Sequence, residues 1–402
     1  MAGRQLLAQL GQEDIILSGQ PEITFFKEQY KAQAPFASRV INVLFESEID
    51  FGEESDVGIP LNGDLIWAMY ARFDFPTLDP AVQFQSYAGL QMINFVELYS
   101  GSQLVERLWG EYIGILNACQ VPTSKQSSLT NMVGSGSPGS VFTPQTRYTV
   151  PLGFKCLQHG LPLVPDMSFR VSLSPSTSFT SPPVTYLPVN FKLLVEFVIL
   201  GEPERNWIKN RGPVIYIGES VQRARFDIPA GQSNVRCVTQ FLHPVKELFF
   251  TVQNNSSDVF DYWYNYAGAS SSSNTWAWNY SNVNHLNSMA MYFEGVQRVD
   301  PLWATSLYLG TTQFLDYHTR VPIAPFYMYS FALDPENPRP TGSVNMGRIK
   351  NQYFDFFLKP SQKERTLTIW ARYHTFLEVT GFKTLVNLFD NNGDEGYILY
   401  LP

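Results

Sequence analysis

Hydrophobic and polar residues alternate along most of the chain in short runs, and clusters of Pro, Gly, Asn and Ser separate these runs. Alternation with a period of two residues predicts β-strands that bury one face, and the clusters predict the turns between them. In the first half of the chain the predicted strands are residues 39–49, 65–75, 92–99, 146–151, 169–173 and 191–200. In the second half they are residues 221–228, 235–241, 246–253, 289–293, 296–300, 353–358 and 366–374.

Helical spacing of apolar residues occurs in only two places. Leu108, Tyr112 and Leu116 predict a helix over residues 105–119, and a shorter helix is predicted around Leu7. The rest of the chain is predicted as short strands and turns, with 27 Gly and 27 Pro residues in total. Many short strands separated by turn residues are typical of β-sandwiches and β-barrels, so the predicted fold class is all-β.

A polar passage divides the chain near its middle. Residues 201–213, with the sequence GEPERNWIKNRGP, follow the strongest predicted strand of the first half, and a new set of strands begins after them. A chain of 402 residues is also long enough to build two hydrophobic cores. We therefore predict an N-terminal arm at 1–26, a first domain at 27–207 and a second domain at 208–402.

Each predicted domain contains one long polar insertion without predicted regular structure, at 121–145 and at 254–285. Loops of this length are uncommon in compact domains and are usually functional. The second insertion carries eight aromatic residues and no Lys or Arg, a composition typical of recognition surfaces. We predict that it packs against a neighbouring subunit; a sugar-binding platform and a loop that packs on its own rings are the alternatives. The candidate contact residues are Tyr262, Trp263, Tyr264, Trp276 and Trp278.

Composition and charge narrow the classes of function. Charged residues make up 16% of the chain, against about 25% in typical domains, and aromatic residues make up 15%. Few charges fit a protein whose surface is covered by other protein, because free monomers usually expose more charge. The net charge of −8 and the scattered positions of the 28 basic residues argue against direct binding of nucleic acid, which needs clustered Lys and Arg.

The cysteines and the N-terminal sequence bear on the compartment. Cys119, Cys156 and Cys237 lie far apart and show no metal-binding spacing, so we predict small buried side chains in a reducing environment rather than disulfides. The first residues, MAGRQLLAQLGQ, lack the apolar core of a secretion signal. No apolar run approaches the ~20 residues of a membrane-spanning helix. We therefore expect a soluble intracellular product.

The candidate motifs for catalysis or cofactor binding lack the context that their chemistry needs. The GSGSPG at 134–139 has the spacing of a dinucleotide-binding loop, but a Ser/Thr-rich tract precedes it and Pro138 interrupts it. The DNNGDEG at 390–396 lacks the Gly and the Glu that a calcium loop requires at its sixth and twelfth positions. No histidine has a second His or Cys at metal-ligand spacing. We predict no catalytic, cofactor-binding or metal site.

Residues 243–253, HPVKELFFTVQ, resemble a signature of the major capsid proteins of large nucleocytoplasmic DNA viruses. The matching residues are His243, Pro244, Lys246, Glu247 and Leu248. In that family the signature leads into an apolar strand early in the second jelly roll; here Phe249 and Phe250 stand where the family often carries Trp. The alternation is expected to place Phe249 on one face of the strand and Phe250 on the other, with Lys246 and Glu247 at the strand's entrance.

Further segments resemble the same family in the same order along the chain. The segment around Gly63, Asp64 and Leu65 is similar to the family's Gly-Asp-Leu strand. The complete set of similar segments is 14–37, 59–70, 96–119, 150–167 and 329–351. Because several segments agree in order and span nearly the whole chain, the set is more specific than any single member.

The resemblance implies two tandem eight-stranded antiparallel jelly-roll sandwiches, a double jelly roll, with a few short helices. It implies that three copies form a pseudo-hexameric capsomer that tiles the icosahedral shell of a virion assembled inside the host cell. The implied partners are further copies of the chain, neighbouring capsomers, penton and minor capsid proteins, and an internal membrane reached through other proteins. The alternative is a minor capsid protein or a carbohydrate-binding or carbohydrate-processing tandem jelly roll.

Overall fold

Antiparallel strands make up most of the regular secondary structure in the computed structural model, which describes residues 5, 11–22, 24, 26, 32–134, 141–142, 144–254, 284–322 and 324–388. Contacts divide the chain into two units, residues 1–35 and 36–402. The first unit contains helix α1, Gln12–Ser18, whose start is stabilised because the Gly11 N–H donates to the Asp14 carboxylate at 2.9 Å. The helix predicted around Leu7 lies outside the described residues.

The first part of the second unit contains two four-stranded antiparallel sheets, with strand orders β1-β12-β3-β8 and β2-β10-β5-β6. Strand β9 extends the first sheet beside β3, and β11, β4 and β7 form a small third sheet. The strands are β1 Phe36–Val43, β2 Glu54–Gly58, β3 Leu65–Asp74, β4 Gln83–Gln85, β5 Ile93–Ser100, β6 Gln103–Trp109, β7 Val141–Phe142, β8 Arg147–Pro151, β9 Leu161–Pro162, β10 Met167–Leu173, β11 Thr180–Ser181 and β12 Asn190–Leu200.

The second part repeats this arrangement, with strand orders β13-β21-β15-β18 and β14-β20-β16-β17. Strand β19 pairs with β15, and β22 pairs with β21. The strands are β13 Val214–Ile228, β14 Asn234–Thr239, β15 Pro244–Asn254, β16 Leu286–Phe293, β17 Val296–Val299, β18 Tyr327–Ser330, β19 Val344–Asn345, β20 Gln352–Leu358, β21 Arg365–Thr380 and β22 Thr384–Asn387.

Each half thus has two main sheets of four strands, which makes one eight-stranded antiparallel sandwich per half. The predicted all-β double jelly roll with a few short helices is confirmed. Among the described strands, no sheet combines strands from before Leu200 with strands from after Val214. The domain limits at 26 and 207 stay predictions.

Short helices connect the strands. In the described part of the chain they are α2 Ala88–Gln91, α3 Gly110–Gln120, α4 Thr123–Val133, α5 Glu202–Asn210 and α6 Gln313–Tyr317, with a π-helical turn at Tyr308–Thr312 and 3-10 turns at Lys155–Leu157, Ser176–Ser178 and Met346–Arg348. The polar passage predicted to separate the domains therefore contains α5. Within the described ranges, no helix is both long and apolar enough to cross a bilayer.

Two sequence predictions about helices were wrong. The helix predicted from residue 105 starts only at Gly110, because the preceding residues pair with β5 as strand β6. Gly110 lies so close to β5 that an added Cβ would be 2.2 Å from the Ile93 carbonyl oxygen, which fixes the helix start there. The insertion predicted as structureless from residue 121 contains α4, which ends at Val133 and is followed by Gly134 with a φ of 104° that favours glycine.

Candidate functional site

Strand β15, which carries the His-Pro-Val-Lys-Glu-Leu signature, is buried on both faces. Leu248, Phe250 and Val252 lie in the core of the second sandwich, as the period-two alternation predicted. Phe249 points the opposite way and joins a cluster that includes the first sandwich. A strand with two buried faces has no solvent-exposed positions, so its polar side chains must find partners inside the protein.

A β-bulge at the start of this strand sets the direction of its two charged residues. Val245 pairs with Tyr373 and Glu247 pairs with Arg372, so Lys246 is an extra residue without an opposite partner on β21. Both charged side chains reach the same group of ions. Lys246 and Glu247 are the third and fourth residues of β15, near the start of the strand as expected. Both are fully buried, with 1% and 0% exposure.

Six ionisable side chains form a charge cluster around this bulge; five are buried and the sixth, Glu336, is 25% exposed. Arg372 donates from Nε and Nη2 to the Glu219 carboxylate and from Nη1 to Glu247 at 2.5 Å. The Lys246 ammonium also binds Glu219. His318 Nε2 lies 3.0 Å from Glu247 Oε2, and His318 Nδ1 lies 2.8 Å from Glu336 Oε1. Glu336 also accepts the Thr319 N–H at 2.9 Å.

Three carboxylates and three cationic groups balance the cluster's charge. Burial opposes ionisation of Glu247, but the charges of Arg372 and His318 outweigh it and lower the pKa of Glu247 to about 2. Burial likewise opposes the charged form of His318, yet Cys119 and Glu247 raise its pKa to about 12. Burial and the repulsion of Arg372 lower the pKa of Lys246 to about 8. Charge pairing thus keeps the carboxylate of Glu247 and the imidazolium of His318 ionised in the interior.

The first half of the chain closes over the cluster. Trp109 and Tyr112, at the junction of β6 and α3, pack against Trp370 with ring centroids 5.5 and 5.7 Å apart. At the other end of α3, Arg320 donates from Nε to the Ala118 carbonyl at 2.8 Å, which satisfies a helix-terminal acceptor. The two sandwiches therefore share one interior that contains both aromatic rings and ions.

The Gly63-Asp64-Leu65 motif lies in the first sandwich, where β3 begins. The Asp64 carboxylate accepts the Leu200 N–H at 2.9 Å and the Arg205 Nε–H at 2.8 Å, so it joins the end of β12 to helix α5. Gly63 packs on β12 so closely that a Cβ would lie 2.7 Å from the Phe197 Cβ. This motif therefore holds β12 and α5, the segment that connects the two sandwiches, in place. It has no described contact with the charge cluster.

His243 and Pro244 precede the bulge. His243 adopts a φ of 68°, unusual for a residue other than glycine, and its ring stacks on Tyr373 at 4.6 Å. Its backbone carbonyl accepts the Met346 N–H at 3.0 Å. Pro244 pairs with Asn345 on the short strand β19, at the first position of β15, where a missing N–H is tolerated.

Sequence reasoning missed four members of the cluster, namely Glu219, His318, Glu336 and Arg372. Glu219 lies in the buried run 218–221 of β13 and Arg372 in the buried run 365–375 of β21, and a charge at such a position was the available signal. The contact residues proposed in the aromatic insertion, namely Tyr262, Trp263, Tyr264, Trp276 and Trp278, lie outside the described residues. The buried thiols of Cys119, Cys156 and Cys237 agree with the prediction of small buried side chains.

The chemistry available to the cluster is limited by its hydrogen bonds. Cys119 lies beside His318, and a neighbouring Cys and His could in principle act as a nucleophile and its general base. Both ring nitrogens of His318 are held by carboxylates, so the imidazole has no lone pair with which to accept a proton from the thiol. No group of three or more metal-ligating side chains occurs in the described part of the chain. The arrangement instead fixes β13, β15 and β21 to each other and to α3.

Comparisons with known proteins identify the family. The family described as "Major capsid protein N-terminus" matches this chain over residues 24–173, and the family described as "Large eukaryotic DNA virus major capsid protein" matches it over residues 204–392. The chain is 24% identical to the major capsid protein of Pyramimonas orientalis virus, over 94% of this chain and 96% of that protein. It is 25% identical to the major capsid protein of Paramecium bursaria Chlorella virus 1, over 87% and 85% of the two chains.

Solved structures show the same fold. A quasi-atomic model of the PBCV-1 virus capsid contains a chain with a TM-score of 0.74 and 19% identity, over 92% of this chain and 100% of that one. The Faustovirus major capsid protein gives a TM-score of 0.70 at 11% identity, over 91% and 94%. With the signature in place on β15 and both family descriptions matched in order, the chain belongs to the major capsid protein family of large eukaryotic DNA viruses.

Proposed function

We propose that three copies of this chain form a pseudo-hexameric capsomer, and that these capsomers tile the icosahedral shell of a large DNA virus. The observation that carries the proposal is the joining of two eight-stranded sandwiches through one shared interior. Three such blocks would supply six similar sandwiches around one axis. A trimer of this kind can occupy sites of sixfold coordination in a shell. A trimer of chains with one sandwich each would present only three sandwiches and could not.

The joined halves also suit a structural role mechanically. Relative motion of two domains is expected when their contact is small and polar. Here Trp109, Tyr112 and Trp370 pack at the junction, and the balanced charge cluster lies beside them. Such a contact favours a block of fixed shape, which repeated assembly requires.

The test is light scattering after size exclusion, followed by negative-stain imaging of the main peak. We expect a mass three times the 45.7 kDa of one chain and particles with a pseudo-hexagonal outline. A stable monomer that binds immobilised glycans, and that never forms trimers at high concentration, would favour the carbohydrate-binding alternative instead.

We further propose that the chain acts without catalysis. In support, the acidic groups that could form a hydrolytic pair, Glu247 and Glu336, are both bound to His318, whose side chain has no solvent exposure. The proposed partners are other copies of the chain, neighbouring capsomers, and penton and minor capsid proteins. An internal membrane would be reached through such proteins, and no direct contact with nucleic acid is proposed.

The aromatic insertion has a proposed role in the capsomer. Its composition, rich in Trp and Tyr and free of Lys and Arg, supports burial against a neighbouring subunit. Deleting residues 260–280 should weaken trimers while the monomer stays folded, measured by light scattering at decreasing concentration together with circular dichroism. Deletion variants that remain fully trimeric at every concentration would contradict this role.

A further inference from the structure

A cleft of about 520 Å³ lies where the two sandwiches meet, on the outside of the shared interior. Leu104, Arg107 and Trp109 of β6 line one wall, and residues 220–224 of β13 line another. Phe241 and Tyr373 close the remaining side. The cleft has no role in the charge cluster or in the capsomer proposal above.

Both strands that line this cleft are the last strands of their sheets. Among the described strands, β6 pairs only with β5 and β13 pairs only with β21, but the Leu104 carbonyl of β6 already accepts a hydrogen bond from Asn387 Nδ2 at 3.2 Å, so the open edge is that of β13. Five consecutive residues of β13 line the cleft, so the cleft follows the edge of the strand, where backbone N–H and C=O groups project, rather than one of its faces. At ~3.3 Å per residue, these residues span about 13 Å. Unpaired strand edges are templates on which an extended peptide can form backbone hydrogen bonds.

The charge in the cleft indicates which peptide would fit. The Arg223 guanidinium lies over the rings of Trp109 and Trp370, at 4.9 and 5.6 Å from their centroids. These aromatic contacts hold it in place, but it makes no hydrogen bond or salt bridge to any described residue. Glu111 acts on it only through its charge. A stacked guanidinium with free N–H donors is suited to bidentate binding of a carboxylate.

The other cations near the cleft differ from Arg223. Arg107 also lies over Trp109, at 5.7 Å, but its guanidinium is already bound to the buried carboxylate of Glu97. Arg225, two residues beyond Arg223, is exposed. The charge that remains to be matched in the cleft is therefore positive and is centred on Arg223.

From these observations we propose that the cleft binds an extended, carboxylate-bearing peptide strand of another polypeptide of the shell. The strand pairs with the edge of β13, and one acidic side chain binds the Arg223 guanidinium. Pairing of the β13 edge with this ligand satisfies the backbone groups that would otherwise promote unwanted association.

The experiment measures binding of a short fluorescein-labelled peptide of alternating Val and Glu to the full-length protein by fluorescence anisotropy. The matched probe alternates Val and Gln. We expect the Val–Glu peptide to bind, the Val–Gln peptide to bind at least about tenfold more weakly, and Arg223→Gln to cause a similar loss. Arg223→Lys should be intermediate, because it keeps the charge but loses the planar fork. Arg298→Gln, a change on β17, is the control variant.

Hydrogen exchange provides a second measurement. It uses the unchanged full-length protein, so its result does not depend on whether the Arg223 variants fold. Saturation with the Val–Glu peptide should slow exchange of amides in residues 220–224. Equal binding of both peptides, or binding without slower exchange there, would overturn the proposal. The combined change Asp390→Asn, Asp394→Asn and Glu395→Gln tests the chain's own acidic C-terminal segment. If only this variant binds the peptide, that segment and not another polypeptide is the ligand, and the proposal is wrong.

Discussion

Replacement of Arg372 by methionine tests whether charge balance holds the interior together. The guanidinium of Arg372 makes three hydrogen bonds to Glu219 and Glu247 and has about 1% exposure. Methionine fills much of the volume of the arginine stem but removes the positive charge, so the cluster keeps three carboxylates and only two cations. An unpaired buried charge of this kind costs about 3–5 kcal/mol of unfolding free energy.

A second variant separates the effect of charge from that of packing. In Arg372→Met with Glu247→Gln, Glu219 retains Lys246 and Glu336 retains His318, so the remaining ions are balanced again. We expect this double variant to lie within about 2 kcal/mol of the unchanged protein, although it carries more substitutions.

The assay is urea-induced unfolding followed by tryptophan fluorescence, since Trp109 and Trp370 lie beside the cluster. Because the ions are buried, the loss in the single variant should persist at high salt concentration. If the single and double variants lost the same free energy, the cost would come from packing, and the reasoning from charge balance would be refuted.

Two further predictions concern pH and backbone packing. The lowered pKa of Glu247 contributes stability that is present above its ordinary pKa of 4.5 and is lost as the pH falls towards 2. The raised pKa of His318 has the opposite effect, because its contribution is complete below pH 6.5 and is lost as the pH rises. The difference in unfolding free energy between the unchanged protein and Glu247→Gln should therefore shrink below pH 4.5; a constant difference would contradict the assignment. Gly63→Ala should cost about 1–3 kcal/mol in urea unfolding because its Cβ would collide with Phe197, while Gly58→Ala, with open space around it, is the matched control.

The positions of the long strands could be predicted from sequence, because alternation depends only on neighbouring residues. The predicted strand at 191–200 is Asn190–Leu200 in the structure, and the one at 353–358 is Gln352–Leu358. The limits of β6 could not be predicted in this way. Apolar residues continue at helical spacing from β6 into α3, and only the close contact of Gly110 with β5 separates the strand from the helix.

The charge cluster could be predicted only in part. Lys246 and Glu247 were identified through the family signature, yet their partners depend on strand pairing over long sequence separations. Arg372 lies opposite Glu247 because β21 pairs with β15, and Glu219 binds Arg372 because β13 pairs with β21. Local sequence does not encode such a register. The bulge at Lys246 adds a further shift that only the paired strands reveal.

The shared interior has a consequence for the order in which the protein is made. The ribosome completes the first sandwich before it begins β13, and residues 214–380 then take roughly 10–30 s to synthesise at typical rates. During that time Trp109 and Tyr112, almost fully buried in the finished protein, lack their ring contacts with Trp370 of β21. The period of greatest aggregation risk therefore falls within translation itself, and a host chaperone that shields this one aromatic surface on nascent chains would raise the yield of assembly-competent protein.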